Sequence, residues 1–509
     1  MTLQANNPVA PLASQQFEDV PLKMAGGSNF GRYPKISAEA TYNMIVSDGF
    51  LVPYAGYKSI LEETFPGATG VGRGLYASSD GDFMLAVIGN DVYRISAAFH
   101  VTQVNLVAGV VVPLLTESGD VFITENNGAQ IVITDNVAIY VYNWSTGLFY
   151  GSNAAFAPNN FTFPWGVPGH CSFQNGRVVV AVLNTQRWVL SAENDATSWP
   201  SNAQHEGLIQ SKPGYARAAI PVPGGGNNLM VFGSTVSESW VDQGLAVFPY
   251  QKNTTFDVDY GVTNPSSIAQ LDTYIVWIAV NETSGPVVMF SQGGGAPKAI
   301  STDGIDFLLS RLTVPSAVNG FLFRQDGHVI YQFTFTVDNI SLAYDFNTQL
   351  FFYVTDEKLN YHPARQVVFF RNNYYFVSFK DQNLYEFDTS VTKIEYSATQ
   401  IYEIPRIRIT PPLRLSTQRY YVIRSVGFTI EQGLTNPIDD VYAAVDMAIS
   451  RDGGMSFGND VRVDMNLSGN YQNRFIYQRC GFANDATFRF RFSGYNRFVC
   501  GDGICEVYQ

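Results

Sequence analysis

Cysteine, charge and long apolar runs are all scarce in this 509-residue sequence. Its four Cys residues are too few and too scattered for a disulfide framework. Cys500 and Cys505 are close enough in sequence to pair, although two reduced thiols are favoured. No run of about 18 apolar residues occurs, which argues against a membrane-spanning helix. The five His residues are isolated from one another, so we expect no metal site and no cofactor.

The composition is that of a folded protein dominated by β-structure. Apolar residues make up 46% and charged residues 15% of the chain, which is typical of a protein with a large core. Gly, Tyr, Phe, Val and Thr are plentiful, and no long segment keeps a helical period. One short helix is predicted over residues 303–312, with Ser301 or Thr302 as its N-cap.

Acidic residues are distributed unevenly along the chain. The net charge is −13, but residues 401–509 hold twelve Arg, no Lys and eleven Asp or Glu. The other 400 residues therefore carry about −14. This shift in surface chemistry indicates a domain boundary near residue 400, and the overall acidity disfavours adhesive binding to nucleic acid.

A repeated unit begins near residue 70. Each copy is an apolar strand, a tight polar turn and a second strand that contains an aromatic residue. Copies centre on Phe83–Ile95, Gln130–Tyr142, Arg177–Leu190, Leu229–Trp240, Thr273–Phe290, His328–Tyr344 and Tyr374–Phe387. Their spacing of about 45–55 residues is the period of a four-stranded propeller blade. The sequence thus predicts a six- or seven-bladed β-propeller, whose terminal blades are completed by strands from both ends.

Strict alternation replaces this repeat beyond residue 400. In residues 404–409 and 488–492, apolar residues alternate with Arg406, Arg408, Arg489 and Arg491. Such segments predict an antiparallel β-sandwich. We therefore expect an all-β chain with an N-terminal arm and lead-in strands (1–69), a propeller (70–400) and an Arg-rich sandwich (401–509).

The segment from Leu229 to Lys252 carries an ordered set of short motifs. These are Phe232-Gly233, Ser237-Glu238-Ser239-Trp240, Asp242-Gln243-Gly244 and Phe248-Pro249-Tyr250. The set resembles the packaged-DNA stabilisation proteins, or tail nozzle proteins, of short-tailed bacteriophages. A further match lies near residue 55, where the family has Pro-Gly and this chain has Ala55-Gly56.

The resemblance implies a structural, non-enzymatic protein of the virion tail that is made in the host cytoplasm. It implies a homo-oligomeric ring, a hexamer in the family, below the portal and its adaptor ring. Such a ring extends the channel through which DNA passes without sequence-specific binding, and it helps to retain packaged DNA. Tail fibre, spike or needle proteins are its other expected partners.

Residues 450–457 fit the Asp-box pattern found in sialidases, with Ser450, Asp452, Gly454 and Phe457 at the defining positions. The Asp carboxylate of such a box binds turn amides, and Gly takes the left-handed position. We therefore expect a structural turn rather than a catalytic site. No carboxylate pair is singled out by spacing, as a glycosidase requires.

Arg406, Arg408, Arg489 and Arg491 form a candidate interface. Arg binds carboxylates through two parallel hydrogen bonds, which suits docking to an acidic neighbour, although salt bridges within the domain explain them equally well. The alternative function is a carbohydrate-active propeller, either a sialidase-like hydrolase or a lectin. A generic propeller scaffold for protein partners is a third hypothesis.

Overall fold

The computed structural model describes residues 17–508 except 35, 61–64, 128, 246, 392, 417–418, 432–442, 466–474 and 496, and it describes residues 254–256 by their backbone alone. The first sixteen residues of the predicted arm therefore lie outside the described residues.

Seven antiparallel sheets surround one axis, and the predicted propeller is confirmed with seven blades. Blade 1 comprises Gly72–Ala77, Phe83–Ile88, Asp91–Ser96 and Val101–Gln103, and blade 2 comprises Phe122–Asn126, Gln130–Thr134, Ile139–Asn143 and Leu148–Gly151. Blade 3 comprises Pro168–Gln174, Arg177–Val182, Arg187–Leu190 and Glu206–Leu208, and blade 4 comprises Ala216–Pro221, Asn228–Gly233, Ser237–Asp242 and Tyr250–Val258. Blade 5 comprises Gly261–Val262, Ala269–Leu271, Tyr274–Val280, Val287–Gln292 and Lys298–Ala299. Blade 6 comprises Val318–Gln325, His328–Phe335, Ile340–Asp345 and Leu350–Tyr353. Blade 7 comprises Ala364–Phe370, Asn373–Ser378, Leu384–Asp388 and Gly56–Ser59.

Short elements connect the blades. They are the hairpin Leu106–Val107 and Val110–Val111, the 3-10 turns Ala154–Phe156, Ala203–His205 and Pro265–Ser267, and the α-helix Asp303–Leu309. Thr302 caps this helix by accepting a hydrogen bond from the backbone N–H of Ile305. The helix ends three residues earlier than predicted, where Arg311 N–H donates to Leu308 O in a tighter turn.

The ring closes through a strand from the N-terminal part of the chain. Gly56–Ser59 pairs antiparallel with Leu384–Asp388 and parallel with Lys393–Ser397, which in turn pairs with Gln400–Glu403. Tyr57 anchors this closing strand, since its side chain is 1% exposed and packs against Phe376 and Tyr385. Blade 7 thus joins residues that are more than 300 positions apart in the sequence.

Two antiparallel sheets form the C-terminal sandwich, and this part of the predicted fold is confirmed as well. One contains Met44–Ser47, Phe50–Pro53, Cys500–Tyr508, Tyr421–Ile430 and Phe475–Ala483, with Glu18–Leu22 also paired to Cys500–Tyr508. The other contains Ala40–Tyr42, Arg406–Ile409, Thr487–Ser493, Ala444–Ser450 and Val461–Asp464. Lead-in strands therefore complete the sandwich alongside residues beyond 400. The four Cys residues are buried and free.

The two domains share one sheet. Ala40–Tyr42 pairs antiparallel with Arg406–Ile409 of the sandwich and, through Tyr42, parallel with Tyr353 at the outer edge of blade 6. The rings of Tyr42 and Tyr353 stack at 4.7 Å between centroids. The result is a continuous nine-stranded sheet. Backbone pairing therefore crosses the junction between propeller and sandwich.

Candidate functional site

Glu238 is the best-connected buried carboxylate of the family-like motif. Its side chain is fully buried, and Oε1 accepts hydrogen bonds from the backbone N–H groups of Gln210 at 2.8 Å and Ser211 at 2.5 Å. Trp240 Nε1 donates to Oε2 at 3.0 Å, and Lys252 Nζ lies 3.1 Å from Oε1. Gln210 and Ser211 belong to the connection from blade 3 to blade 4. The carboxylate therefore fastens this connection to two strands of blade 4.

Aromatic rings continue the same contact between blades. Trp188 of blade 3 packs edge-on against Trp240, Phe248 and Tyr250, with centroid distances of 5.2–5.4 Å. Such pairs stabilise a structure beyond the area that they bury. On the opposite side of blade 4, Phe232 packs edge-on against Trp277 of blade 5 at 5.2 Å.

Hydrogen bonds hold the Asp242-Gln243-Gly244 turn of the motif at the rim of blade 4. Gly244 adopts φ +61°, and its N–H donates to Asp242 Oδ1 at 2.9 Å. Asn175 of blade 3 donates to the other oxygen of Asp242 at 2.7 Å, and Gln243 N–H donates to Pro249 O at 2.8 Å. Gly233 N–H donates to Val236 O in the tight turn before Ser237. The motif residues are thus placed where blades 3, 4 and 5 meet.

The Asp-box residues form a compact turn in the sandwich. Ser450 Oγ donates to Asp452 Oδ1 at 2.6 Å, and the backbone N–H groups of Met455 and Ser456 donate to the same oxygen. These hydrogen bonds hold the pKa of Asp452 well below its usual range, so the ionised form maintains the turn. Gly454 has φ +93°, and the half-buried Phe457 ring lies under the Arg489 guanidinium at 4.8 Å.

The structure places the four candidate interface arginines on two faces of one sheet. Arg406 and Arg408 lie opposite Phe492 and Phe490 in the antiparallel register, so they share the face of the buried Phe residues. Both are buried, with exposures of 1% and 0%. Burial lowers the pKa of Arg406 to about 10. These two side chains are therefore not available to an external partner.

Other residues of the same chain bind the two buried arginines, Arg406 and Arg408. Arg408 donates to Glu39 Oε1 at 2.6 Å, to Gly27 O and to Thr41 Oγ1, which attaches the lead-in segment to the sandwich. Arg406 donates to Gly494 O at 3.2 Å and lies over the Phe498 ring.

The other two arginines lie on the opposite face of the sheet. Arg489 is half-buried and bonds Asp460 at 2.9 Å, whereas Arg491 is exposed. A docking role therefore remains a proposal for Arg489 and Arg491 only.

Sequence analysis missed a hydroxyl–imidazole–carboxylate series at the domain junction. His328 Nδ1 lies 2.8 Å from Asp345 Oδ2, and its Nε2 lies 3.0 Å from Ser47 Oγ. His328 and Asp345 are buried in blade 6, while Ser47 ends a strand of the sandwich. Nothing in the sequence pattern connects Ser47 to residues almost 300 positions away. Among the described residues, no group of three His, Cys, Asp or Glu side chains is placed to hold a metal ion.

Several solved structures are similar to the chain at low identity. One is a mitotic checkpoint complex chain (11% identity, 65% of this chain and 94% of that chain, TM-score 0.38), and another is the N-terminal domain of Nup159 (11%, 68% and 98%, 0.38). A third is the extracellular domain of a hybrid two-component system from B. thetaiotaomicron (11%, 86% and 60%, 0.43). No curated protein sequence matches the chain significantly. No helix among the described residues has the length and apolarity needed to cross a bilayer.

Family models match both domains. The model described as Bacteriophage P22 Gp10, beta-propeller, covers residues 31–392, and the model described as Bacteriophage P22 Gp10, beta-sandwich, covers residues 405–504. The two matches follow the order of the domains in the fold and together span most of the sequence. The chain therefore belongs to the Bacteriophage P22 Gp10 family of phage stabilisation proteins.

Proposed function

We propose that this protein is a non-enzymatic structural component of a phage tail that helps to keep packaged DNA inside the head. The observation that carries the proposal is the match of the stabilisation family to both the propeller and the sandwich. The joint nine-stranded sheet supports a mechanical role, since a force applied to one domain is transmitted to the other through backbone hydrogen bonds.

Within the tail, we place the protein in a hexameric nozzle ring below the portal and adaptor. The charge distribution supports this position, because residues 1–400 carry about −14 while the sandwich region is close to neutral. A channel wall of negative charge repels phosphate, so DNA passes without adhering to it. A neutral sandwich with paired arginines suits contacts with protein neighbours, such as the next subunit, the adaptor or a fibre, spike or needle protein.

We expect purified virions to contain this chain at a low, fixed ratio to the portal protein. Quantitative mass spectrometry of intact particles measures that ratio, and a value matching one hexameric ring per particle is the expected result. Particles assembled without the protein should release their DNA, which nuclease protection of the genome detects. Absence of the chain from virions would overturn the proposal, and glycan arrays and sialidase assays would then test the carbohydrate-active alternative.

The Ser47–His328–Asp345 series favours a second candidate, a serine hydrolase. Its two distances match those between nucleophile, general base and orienting carboxylate. However, Asp345 also accepts hydrogen bonds from Thr348 Oγ1 and Asn347 N–H, and His328 is enclosed between the domains. We infer that the series is a structural tether between sandwich and propeller, in which the Ser47 hydroxyl is hydrogen-bonded to the His328 imidazole.

Labelling with a fluorophosphonate probe distinguishes a structural tether from a serine hydrolase. We expect no labelling of Ser47 in the folded protein, and a Ser47→Ala variant should give the same background as the original chain. The same variant should lower the melting temperature, because it removes a hydrogen bond that crosses the domain junction. Stoichiometric labelling that disappears in Ser47→Ala and in His328→Ala would instead establish a nucleophilic serine.

A further inference from the structure

One face of the C-terminal sandwich carries a cluster of exposed apolar side chains. In the sheet concerned, Tyr421–Ile430 is flanked by Cys500–Tyr508 and Phe475–Ala483, and Glu18–Leu22 pairs with the other edge of Cys500–Tyr508. The inner face of this sheet packs into the core of the sandwich. Exposed large apolar residues on its outer face are Phe17, Tyr420, Ile476, Phe482 and Ile504. Such a cluster marks an interaction surface.

A first apolar row crosses this outer face near Tyr508. Val422 lies opposite Tyr508 in one neighbouring strand and opposite Phe482 in the other. The Phe17 ring continues the row, because it packs edge-on against Tyr508 at 5.3 Å. Tyr420 borders Phe482 at the far end, with 6.2 Å between ring centroids. The row thus presents mainly aromatic rings.

A second apolar row crosses the same strands about 14 Å away, four residues further along the strand that ends at Tyr508. Gly427 lies opposite Ile504 in one neighbouring strand and opposite Ile476 in the other. Pro21 lies opposite Ile504. Because Gly427 has no side chain, a groove of about 330 Å³ lies here, lined in part by these two Ile side chains. The second row therefore consists of two apolar ridges with a gap between them.

Polar and charged side chains separate the two apolar rows. Ser425 lies opposite Glu506 in one neighbouring strand and opposite Gln478 in the other. Asp19 lies opposite Glu506. Arg424 bonds Glu506 at 2.8 Å, and both side chains are accessible to solvent. The acidic residues and the basic residue of this middle row thus stand on different strands.

This arrangement is complementary to itself. Consider a second copy related by a two-fold axis that runs parallel to the strands, midway between Cys500–Tyr508 and Tyr421–Ile430. The strand order is then reversed across the contact, and each row faces the same row of the copy. Glu506 faces Arg424, Ile504 faces the gap over Gly427, Phe17 faces Phe482, and Pro21 faces Ile476. Apolar rows meet apolar rows and opposite charges meet, as a contact between two identical patches requires.

We propose that this outer face binds a second copy of the chain in a two-fold contact. Its four strands present roughly 500 Å² of flat face. Two such faces come to about 1,000 Å², the lower limit for a specific protein–protein contact, so the dimer is weak and reversible. A two-fold contact does not build a cyclic ring, so this dimer is a state of the chain outside the proposed hexamer. It therefore exists or fails independently of the proposed tail function.

Sedimentation velocity of the full-length protein over a range of micromolar concentrations measures the association. The expected result is a reversible equilibrium between monomer and dimer. Ile504→Ser should raise the dissociation constant about tenfold or more, because each dimer loses two apolar side chains from its contact. Val461→Ser is the matched control, since Val461 is 53% exposed against 54% for Ile504 but lies on the other sheet of the sandwich. It should leave the dissociation constant unchanged.

Two charge-reversal variants test the two-fold geometry itself. Arg424→Glu places carboxylates opposite each other across the contact, and Glu506→Arg does the same with guanidinium groups. Each variant alone should therefore dimerise about tenfold more weakly or worse. An equimolar mixture should recover dimers, because every carboxylate of one variant then faces a guanidinium of the other. Since both variants lose the Arg424–Glu506 pair within the chain whether mixed or not, a folding defect does not produce this recovery.

Three results would overturn the proposal. A chain that stays monomeric would leave the face to a different protein. Dimers or hexamers that Ile504→Ser leaves unchanged would show that another surface holds the copies together. Folded charge variants that do not recover on mixing would contradict the two-fold geometry, and if either of them does not fold, Ile504→Ser and its control decide.

Discussion

A Gly56→Ala substitution is expected to open the propeller ring at blade 7. A Cβ atom at position 56 would lie 2.3 Å from Val391 O and 2.5 Å from Lys393 O. Both are backbone atoms that cannot move aside as a flexible side chain would. Displacing the closing strand also exposes Tyr57, so the strain and the lost burial together cost about 3–5 kcal/mol of propeller stability.

Differential scanning calorimetry and limited proteolysis measure this effect. The propeller transition should shift to a markedly lower temperature, and protease should cut the segment around residue 56 in the native buffer. Gly285→Ala is the matched control, because the nearest atom to its new Cβ is Ser310 Cβ at an ordinary 3.6 Å. If the Gly56→Ala and Gly285→Ala variants unfold at the same temperature, closure of the ring does not depend on the strand Gly56–Ser59.

Ala55, the residue before Gly56, uses its backbone N–H in a buried hydrogen bond. The N–H of Ala55 donates to Gln325 Oε1 at 3.0 Å, and Gln325 Nε2 donates to Pro53 O. Proline has no N–H, so a Pro-Gly pair here would leave a buried acceptor without its donor. Gly56, which the backbone contacts require, is retained. Ala55 therefore supplies a hydrogen bond to blade 6 that a proline at this position could not.

The blades were predictable from sequence because each one is local. Every predicted repeat coincides with the two central strands of a blade, since tight turns and apolar runs are short-range signals. The closing strand was not predictable in the same way. Gly56–Ser59 is four residues long, and only its partner more than 300 positions later gives it a place in the ring.

Strand register explains why the four candidate interface arginines do not share one face. Alternation in each strand correctly indicated two faces, but it contained no information on which face of one strand matches which face of the next. The observed register aligns Arg408 with Phe490, so the two Arg pairs point in opposite directions. The lead-in residues that cover Arg408 come from the far end of the chain. For the same reason, the Ser47–His328–Asp345 series became visible only in three dimensions.

A Glu238→Ala variant should lose the buried polar part of the contact between blades 3 and 4. The substitution leaves the Gln210 and Ser211 N–H groups and Trp240 Nε1 without their acceptor, and it leaves the Lys252 ammonium, 14% exposed, without this carboxylate. Removing one partner of a buried ion pair costs about 3–5 kcal/mol, because the other charge stays behind. Asp257, 3.0 Å from Lys252, retains part of the interaction and keeps the loss within that range.

Two further variants make this test specific. Glu238→Gln keeps the side-chain volume and one acceptor oxygen but places an amide NH₂ where one carboxylate oxygen was, so its loss should be smaller than that of Glu238→Ala. Glu206→Gln, in a partly exposed ion pair with Arg187 on the outer strand of blade 3, should cost at most about 1 kcal/mol. Chemical unfolding followed by Trp fluorescence measures the free energy of unfolding of each variant, and Trp188 and Trp240 contribute to this signal. Equal effects of the Glu238 and Glu206 variants would show that the buried carboxylate does not hold these blades together.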